Sequence, residues 1–443
     1  MVLSSAIRLL AGVDLRPLKD PSSLSLENLP LERLPMWMKR LLLSEARLKQ
    51  VRHVVVSDCT GVTDAQLALL CVGAPQLLSL TASGCREMSA DQLRAPHLTA
   101  LTLINCGVTD AAAGAIGSSC PQLLELALLQ CPRLRAPSIA SATLTSVSLQ
   151  GCAELLDAAV AGLCAGCARL ESLDLSECRA LTRPRPSGAA LRKLRLEECS
   201  GLASGALEAL SELRGLTALS LAYCRQPALG GSAQGGEGEG EGSSGGEGEG
   251  EGGSGGGVGR VPWPPSLRKL DVACCGAWFD DAAAAWLRAR CVDLEELRLS
   301  GCATLVAPPL GSSRLRSLEL VGCEALTAAA VNAALRQSPE LRSLDIRGCE
   351  TVGADLGPDA LDVPEALLTR LSLTAEPALE ALFFSAAARA SAEEGEEEGE
   401  EEGEEEGEEE AEEEGQQDEQ QLEQPQRAIQ QVEQDAHAAR GDG

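Results

Sequence analysis

A nine-residue phrase recurs along most of the chain and constrains its fold more than any other feature. The clearest copy is Leu170–Cys178, with leucine at the first, fourth and sixth positions and cysteine at the ninth. Twelve copies end at a cysteine, and these cysteines are Cys59, Cys85, Cys106, Cys131, Cys152, Cys178, Cys199, Cys224, Cys275, Cys302, Cys323 and Cys349. A thirteenth phrase is assigned to Leu371 and Leu373, with Glu376 in the cysteine position. Because so short a unit buries its apolar face only by stacking on its copies, we predict one continuous solenoid.

The spacing of these cysteines predicts two kinds of repeat. Successive gaps are 26, 21, 25, 21, 26, 21, 25, 51, 27, 21 and 26 residues. Long repeats place Thr or Asp before an apolar-periodic stretch, as at Thr63 and Thr109, which predicts a capped helix. Short repeats contain proline links such as Arg183–Pro186, and proline prevents a full helix. We therefore expect a strand in every repeat, a parallel sheet, and helices on alternate repeats of the outer face.

The repeats also define the organisation of the chain, with the solenoid predicted over residues 48–376. The gap of 51 residues contains a Gly/Glu-rich segment, residues 230–259, whose removal leaves the 21 residues that the alternation requires. That segment is predicted to be a disordered insertion within one short repeat. Residues 1–47 do not show the repeat and are predicted to form an N-terminal cap, with residues 377–392 as a C-terminal cap. Residues 393–443 are rich in Glu and Gln and predict a disordered acidic tail.

The formal net charge of -29 at pH 7 belongs to the low-complexity segments rather than to the repeats. Residues 393–443 contain 23 acidic residues and 2 arginines, and residues 230–259 contain 6 glutamates and no base, which leaves -2 for the remainder. A solenoid that binds nucleic acid needs a basic face to neutralise phosphates, and no stretch of the sequence supplies one. We therefore expect no direct nucleic-acid partner.

The 18 cysteines are explained by the repeat rather than by disulfides. Twelve share one position, and Cys120, Cys167 and Cys291 share another, three residues before the first leucine of a phrase. A cysteine at a repeat position acts as a small buried apolar residue, which indicates a reducing compartment. No apolar run reaches the length of a membrane span. The expected location is therefore cytoplasmic or nuclear, with no membrane partner.

The repeat resembles a known subclass of leucine-rich repeats, the cysteine-containing one. The motif is clearest at Asp58–Leu67, which reads D-C-T-G-V-T-D-A-Q-L, and at Cys120–Leu123, where Cys-Pro precedes the next strand. The resemblance implies an α/β leucine-rich-repeat solenoid, a horseshoe with a parallel concave sheet and helices outside. The subclass looks most like the repeat half of F-box/leucine-rich-repeat proteins. Those proteins hold a ubiquitylation target on the solenoid while a helical F-box grips the Skp adaptor of a cullin ubiquitin ligase.

The N-terminal segment departs from that pattern. Leu29–Glu32 has the L-P-x-E opening of an F-box, but Pro35 follows at once and the first repeat begins near Leu48. The F-box is therefore expected to be degenerate or absent from residues 1–47. A second resemblance is to acidic leucine-rich nuclear phosphoproteins, which join a repeat solenoid to a Glu-rich tail and bind basic proteins such as histones. The tail is similar, whereas the repeat subclass is different.

The candidate binding residues are those that face the concave surface between and beside the strand leucines. The central one changes from small and uncharged residues in the first five repeats to mostly charged residues in the last seven. The predicted partner-binding residues are Asp174, Lys193, Arg195, Glu197, Lys269, Asp271, Glu296, Arg298, Glu319, Asp345 and Arg347. Mixed signs on such a face favour partner selectivity. The alternative is that opposite charges on neighbouring strands neutralise each other, each pair contributing about 0–1 kcal/mol.

No arrangement of residues in the sequence indicates catalysis, a cofactor or a metal site. Cys164 and Cys167 form a single C-x-x-C, whereas zinc sites of that kind need a second pair. Cys274 lies beside a repeat cysteine without further support for a redox role. The three histidines, His53, His97 and His437, are too scattered to form a catalytic group. We therefore predict a non-enzymatic protein that recognises other proteins.

Overall fold

The computed structural model describes most of the repeat region. The described residues are 49–57, 62–203, 205–224, 261–276, 278–355, 363–364, 367 and 371–375, together with the backbone of 23–27. The predictions for Cys59, for the insertion at 230–259, for the cap at 377–392 and for the tail at 393–443 lie outside these residues.

Fourteen parallel strands form one sheet in the order of the sequence. The strands are β1 (Ser23–Glu27), β2 (His53–Ser57), β3 (Ser79–Ser83), β4 (Ala100–Ile104), β5 (Glu125–Leu129), β6 (Ser146–Ser148), β7 (Ser172–Asp174), β8 (Lys193–Arg195), β9 (Ala218–Ser220), β10 (Lys269–Asp271), β11 (Glu296–Arg298), β12 (Ser317–Glu319), β13 (Ser343–Asp345) and β14 (Ser372–Thr374). The two strand leucines of each phrase point into the core, as Leu173 and Leu175 do at 1% and 0% exposure. The fold is a leucine-rich-repeat solenoid, as the phrase predicts.

Helices occur on alternate repeats up to Cys349, as the cysteine spacing predicts, but the repeat that follows Cys349 also begins with a short helix. They are α1 (Asp64–Gly73), α2 (Asp110–Ser119), α3 (Asp157–Gly166), α4 (Asp281–Arg290), α5 (Ala328–Gln337) and the short α6 (Glu350–Asp355). One long repeat differs, because the connection between Cys199 and Cys224 contains only a 3-10 helix, Glu208–Glu212. Gly205 adopts φ +79° at the start of this connection, outside the right-handed region of an α-helix.

The acidic residue in the first turn of a long-repeat helix ties that repeat to the next one. The Asp110 carboxylate accepts hydrogen bonds from the backbone N–H groups of Arg135 at 2.9 Å and Ala136 at 3.0 Å. Asp157 and Asp281 bind the equivalent pairs of N–H groups one repeat on. The residue before the aspartate is the N-cap, and the Thr109 hydroxyl accepts from the Ala112 N–H. Sequence reasoning identified the cap but not this link between repeats.

The sheet begins one strand before the first predicted repeat. Strand β1 pairs in parallel with β2, with Ser23 opposite His53, so the prediction that residues 1–47 lie outside the repeat is wrong for this segment. Leu24 and Leu26 have the strand spacing, but Leu29 stands where a cysteine would end the phrase. A search keyed on cysteine therefore misses this strand.

The other end of the sheet requires a correction of register. Leu373 pairs with Leu344 and Thr374 with Asp345, so the thirteenth phrase lies two residues later than predicted. The cysteine position then falls on Ala378 rather than Glu376. Without the cysteine, the sequence alone does not fix which pair of apolar residues enters the core. In the middle of the sheet, Ala218 of β9 pairs directly with Lys269 of β10, so the sheet continues across the insertion as predicted.

The repeat cysteines form a hydrogen-bonded ladder inside the solenoid. Ten of them donate Sγ–H to the carbonyl of the last strand leucine, or its equivalent, in the preceding repeat, over distances from 2.9 Å (Cys224 to Leu196) to 3.7 Å (Cys131 to Leu103). Every described cysteine is a free thiol, and all of them except Cys274 are buried. Cys120, Cys167 and Cys291 are the C-cap residues of α2, α3 and α4.

Candidate functional site

The predicted binding residues share one exposed face of the sheet. We call the outward-pointing residue between the two strand leucines of each repeat the central row. Its members are in register along the sheet and are Val55, Thr81, Thr102, Ala127, Ser148, Asp174, Arg195, Ser220, Asp271, Arg298, Glu319 and Asp345. Adjacent members lie about 4.8 Å apart, the spacing of neighbouring strands. The row is uncharged on β2–β6 and mostly charged on β7–β13.

Opposite charges in the central row form ion pairs. Arg195 Nη1 lies 3.9 Å from Asp174 Oδ2, and Arg195 Nε lies 4.0 Å from Glu197 Oε1. Arg298 bridges two neighbours, with Nη1 3.9 Å from Asp271 Oδ2 and Nε 3.2 Å from Glu319 Oε2. The pairs expected under the neutralising alternative are therefore present.

These pairs leave the arginines open to a partner. The side chains of Arg195 and Arg298 are 65% and 59% exposed. Ion pairs at this exposure contribute about 0–1 kcal/mol each, and their geometry yields easily to a competing carboxylate. The pairing therefore positions the guanidinium groups without removing them from the surface.

The flanking residues extend this face on both sides. Lys269 Nζ lies 2.7 Å from Glu296 Oε1, and Arg347 Nη2 lies 2.6 Å from Asp345 Oδ2. Lys193 is exposed on β8, beside Ser172 and Ala218 of the neighbouring strands. All the predicted binding residues are thus on one sheet face.

Three aspartates of the central row also end their own strands. Asp174 Oδ1 accepts from the Ser176 N–H at 3.0 Å, and Asp271 Oδ1 accepts from the Ala273 N–H at 3.0 Å. Asp345 accepts from the Arg347 N–H at 3.2 Å in the same way. An aspartate readily bonds the backbone two residues on, so these acids have a local structural role that the sequence analysis missed.

Burial changes the acidity of two carboxyl groups on this face. Loss of solvent raises the pKa of Asp271 above its ordinary value, although the Ala273 N–H and the Arg298 charge oppose the shift. Loss of solvent also raises the pKa of Glu197, against the effects of the Ser220 hydroxyl and Arg195. Both groups lie near the middle of the charged part of the row. A basic group brought by a partner would stabilise their charged forms.

The residues just before the repeat cysteines form a second row beside the charged face. The sequence analysis missed this row because only the replacement of glycine by other residues marks it. The residue before each repeat cysteine from Cys85 to Cys349 adopts a left-handed backbone, and several repeats place glycine there, including Gly301, Gly322 and Gly348. Six repeats instead carry a side chain at this position, with φ between 50° and 61°: Asn105, Gln130 and, on the four consecutive repeats β7–β10, Glu177, Glu198, Tyr223 and Cys274. A side chain in this conformation costs about 1 kcal/mol relative to glycine. Tyr223 is 55% exposed and Cys274 is also exposed.

The remaining candidates from the sequence are structural. Cys164 and Cys167 are buried around the end of α3, and burial raises the pKa of both thiols. Within the described residues, no three His, Cys, Asp or Glu side chains are grouped so that they could hold a metal ion. In that same part of the chain, no helix has the length and apolar character needed to cross a bilayer.

Comparison with known proteins identifies no family for this chain. No protein-family model matches the chain, and no curated protein matches it. Among solved structures, a chain in the crystal structure of the Rad7 and Elc1 complex in yeast is similar, with 16% sequence identity and a TM-score of 0.40. The alignment covers 78% of this chain and 88% of that chain. Overlap this weak carries no argument about partners, which are therefore inferred from the residues of this chain.

Proposed function

We propose that this protein is a non-enzymatic recognition solenoid that binds a partner protein on the exposed sheet face of β7–β13. The observation that carries the proposal is the change within the central row, from uncharged residues on β2–β6 to charged residues on β7–β13. The buried leucines and cysteines are alike in both parts, so the fold itself does not call for the charges.

The geometry suits recognition of a polar protein segment. Parallel strands hold the backbone of the charged residues at fixed intervals of about 4.8 Å, so little backbone conformational entropy is lost when a partner binds. The mixed signs favour a partner with the complementary sequence of charges and disfavour one with the opposite sequence. Burial that raises the pKa of Asp271 and Glu197 leaves these carboxyl groups short of solvent, and cationic side chains of a partner would supply the missing stabilisation.

We further propose that the bound protein is a ubiquitylation target, as in the F-box/leucine-rich-repeat proteins that the repeat resembles. The free, buried thiols of the ladder support a reducing, cytoplasmic or nuclear location, where such ligases act. Strand β1 weighs against an F-box formed by residues 20–48, because Ser23–Glu27 belongs to the sheet. An F-box that opens with L-P-x-E at Leu29–Glu32 would then have to fit into the segment between β1 and β2. Contact with a Skp adaptor must therefore be measured directly.

The test is affinity capture from native lysate with the full chain as bait, at low and high salt. Truncation before residue 44 would remove β1 from the sheet, so the matched variant is Leu29→Ala/Pro30→Ala, which keeps that strand. Recovery of a Skp adaptor and cullin, lost in this variant, supports the ligase role. Recovery of neither, with partners still captured, removes the ligase role and leaves the recognition role.

The acidic tail supplies a competing explanation of any capture. Its 23 acidic residues would attract basic proteins such as histones through salt-sensitive interactions. A bait of residues 1–392 separates the two cases, because it keeps the whole sheet. Partners that disappear with the tail and at high salt favour an acidic chaperone-like function instead of recognition by the sheet.

A further inference from the structure

A cluster of arginines without acidic partners lies on the turns of neighbouring repeats, away from the sheet face. We call it the arginine turn patch, and its members are Arg133, Arg135, Leu156, Arg179, Arg183 and Arg185. All five arginines are exposed, and Leu156 is 40% exposed between them. Among the described residues, none of the five forms an ion pair, whereas Arg268, Arg298 and Arg316 each contact a carboxylate.

Backbone hydrogen bonds hold the members of the patch side by side. The Leu156 N–H donates to the Arg135 carbonyl at 2.8 Å, which places these two turns next to each other. On the other side, Asp157 accepts from the N–H groups of Thr182 at 3.0 Å and Arg183 at 2.9 Å. Arg135 and Arg183 therefore flank Leu156, separated by two repeats, or about 10 Å.

The nearby acids neutralise these guanidinium groups only in part, because five arginines stand against the three carboxylates of Asp110, Glu154 and Asp157. Asp110 and Asp157 are occupied by backbone N–H groups of the following repeats. Glu154 is the remaining exposed carboxylate on these turns, and it forms no ion pair with another described residue. The patch therefore keeps an excess of positive charge around an apolar centre.

Proline makes the connection that carries Arg183 and Arg185 rigid. Pro184 and Pro186 are buried and alternate with the exposed Arg183 and Arg185. Since proline fixes φ, these two arginines are presented with little backbone freedom left to lose on binding. The corresponding link of a later repeat, Val306–Pro309, has the same bonds to an aspartate but carries no arginine. The repeat architecture therefore does not require arginine at these positions.

We propose that the arginine turn patch binds an extended acidic segment of a partner protein, with one apolar side chain against Leu156. Arginine recognises carboxylates through paired N–H donors, which favours this occupant. An extended chain advances about 3.3 Å per residue, so carboxylates three residues apart would reach Arg135 and Arg183 together. The patch is independent of the sheet face and serves either a second partner or a second region of the same partner.

The test is fluorescence polarisation with the full chain and a labelled peptide, Gly-Ser-Glu-Asp-Leu-Asp-Glu-Ser-Gly. We expect saturable binding, and a loss of about 10-fold or more in Arg135→Glu/Arg183→Glu, because charge-assisted hydrogen bonds are replaced by repulsion. The matched control is Arg314→Glu, an exposed arginine that is paired with Asp293, which should bind the peptide as the unmodified chain does. Equal binding by Arg135→Glu/Arg183→Glu and the unmodified chain would overturn the proposal.

Two further probes decide the chemistry of the occupant. A peptide with serine in place of the central leucine should bind several-fold more weakly if Leu156 forms the apolar contact. A labelled thymidine oligonucleotide of similar length should bind more weakly than the acidic peptide. An oligonucleotide that binds as tightly would replace the proposal with a nonspecific polyanion site. Far-ultraviolet circular dichroism of each variant confirms that the sheet is intact, as expected for exposed side chains.

Discussion

The two parts of the sheet, β2–β6 and β7–β13, are alike inside and different outside. Both bury the strand leucines and hydrogen-bond their cysteines to the preceding repeat, as Cys131 and Cys302 do. Only the second part places charge on the central row. Since exposed pairs such as Arg195 with Asp174 contribute about 0–1 kcal/mol, the stability of the solenoid does not explain the difference. The comparison therefore separates residues required by the repeat from residues available for a partner.

The largest predicted effect concerns the interior that both parts share. Burial raises the pKa of Cys106, Cys131, Cys199 and Cys323 to about 12 and that of Cys152, Cys224 and Cys302 to about 11, from an ordinary value of 9.0. The folded chain thus retains protons that the unfolded chain releases above pH 9. For each such thiol, the free energy of unfolding then falls by up to about 1.4 kcal/mol per pH unit.

The stability contributed by the protonated thiols is fully present below pH 9 and is lost as the pH rises toward the folded values. Because the losses of about ten thiols add, we expect cooperative unfolding within roughly two pH units above 9. Circular dichroism as a function of pH measures the midpoint. A chain that stays folded at pH 12 would contradict the burial of the ladder.

Replacing one cysteine of the ladder should lower the free energy of unfolding by the same amount in either part of the sheet. Cys131→Ala and Cys302→Ala each remove a buried thiol and its bond to a carbonyl, and we expect each to lower the free energy of unfolding by about 1–3 kcal/mol. Urea titration followed by circular dichroism measures the loss. The exposed Cys274→Ala is the control and should change stability by less than about 0.5 kcal/mol. If the two ladder variants lost very different amounts of stability, the interiors of the two parts would not be alike.

The charged row should show the reverse behaviour, with little effect on stability and a clear effect on binding. We expect Arg298→Ala to change the free energy of unfolding by at most about 1 kcal/mol, because its pairs with Asp271 and Glu319 are exposed. Capture of partners should fall about 10-fold or more, as expected for a central arginine in an interface. A variant that loses stability but still captures partners would show that Arg298 has a structural role and does not bind the partner.

The smallest predicted effect concerns the left-handed row. Glu198→Gly should raise the free energy of unfolding by about 0.5–1 kcal/mol, because glycine adopts φ 54° without strain. The matched change in the other direction, Gly322→Ala at φ 69°, should lower it by a similar amount. Thermal melts of the two variants should therefore shift in opposite directions. A stabilised Glu198→Gly that also loses capture would add this row to the binding face.

Sequence reasoning reached the parts of the molecule that the repeat fixes. The strands that end in a cysteine, the alternate helices and the continuity from β9 to β10 follow from the spacing of the ladder, because each repeat meets only its neighbours. The errors fall where the cysteine is missing, at β1 and at the register of Leu373. The 3-10 helix at Glu208–Glu212 lies where the spacing predicts an α-helix, after Gly205 at φ +79°.

The candidate site was predictable only as a set of positions. The period of the strand placed Arg195 and Asp271 on one exposed face, and the structure agrees in register. Periodicity does not reveal that Asp271 also accepts from the Ala273 N–H, since that bond depends on the turn after the strand. The arginine turn patch depends on the hydrogen bonds from backbone N–H groups to Asp110 and Asp157, which place the turns side by side only in the folded chain.

The most direct test of the central claim is quantitative capture of native partners by two matched variants at moderate salt. Arg195→Glu/Arg298→Glu reverses the charged part of the central row, and Thr81→Glu/Thr102→Glu adds the same number of acidic residues to the uncharged part. All four positions lie on the central row of one sheet, where Arg195 and Arg298 are exposed and Thr81 and Thr102 are half-buried. Circular dichroism checks that both variants fold. The account predicts that the first variant loses its partners and the second retains them. Equal retention, or equal loss, by both variants would contradict a binding face on β7–β13.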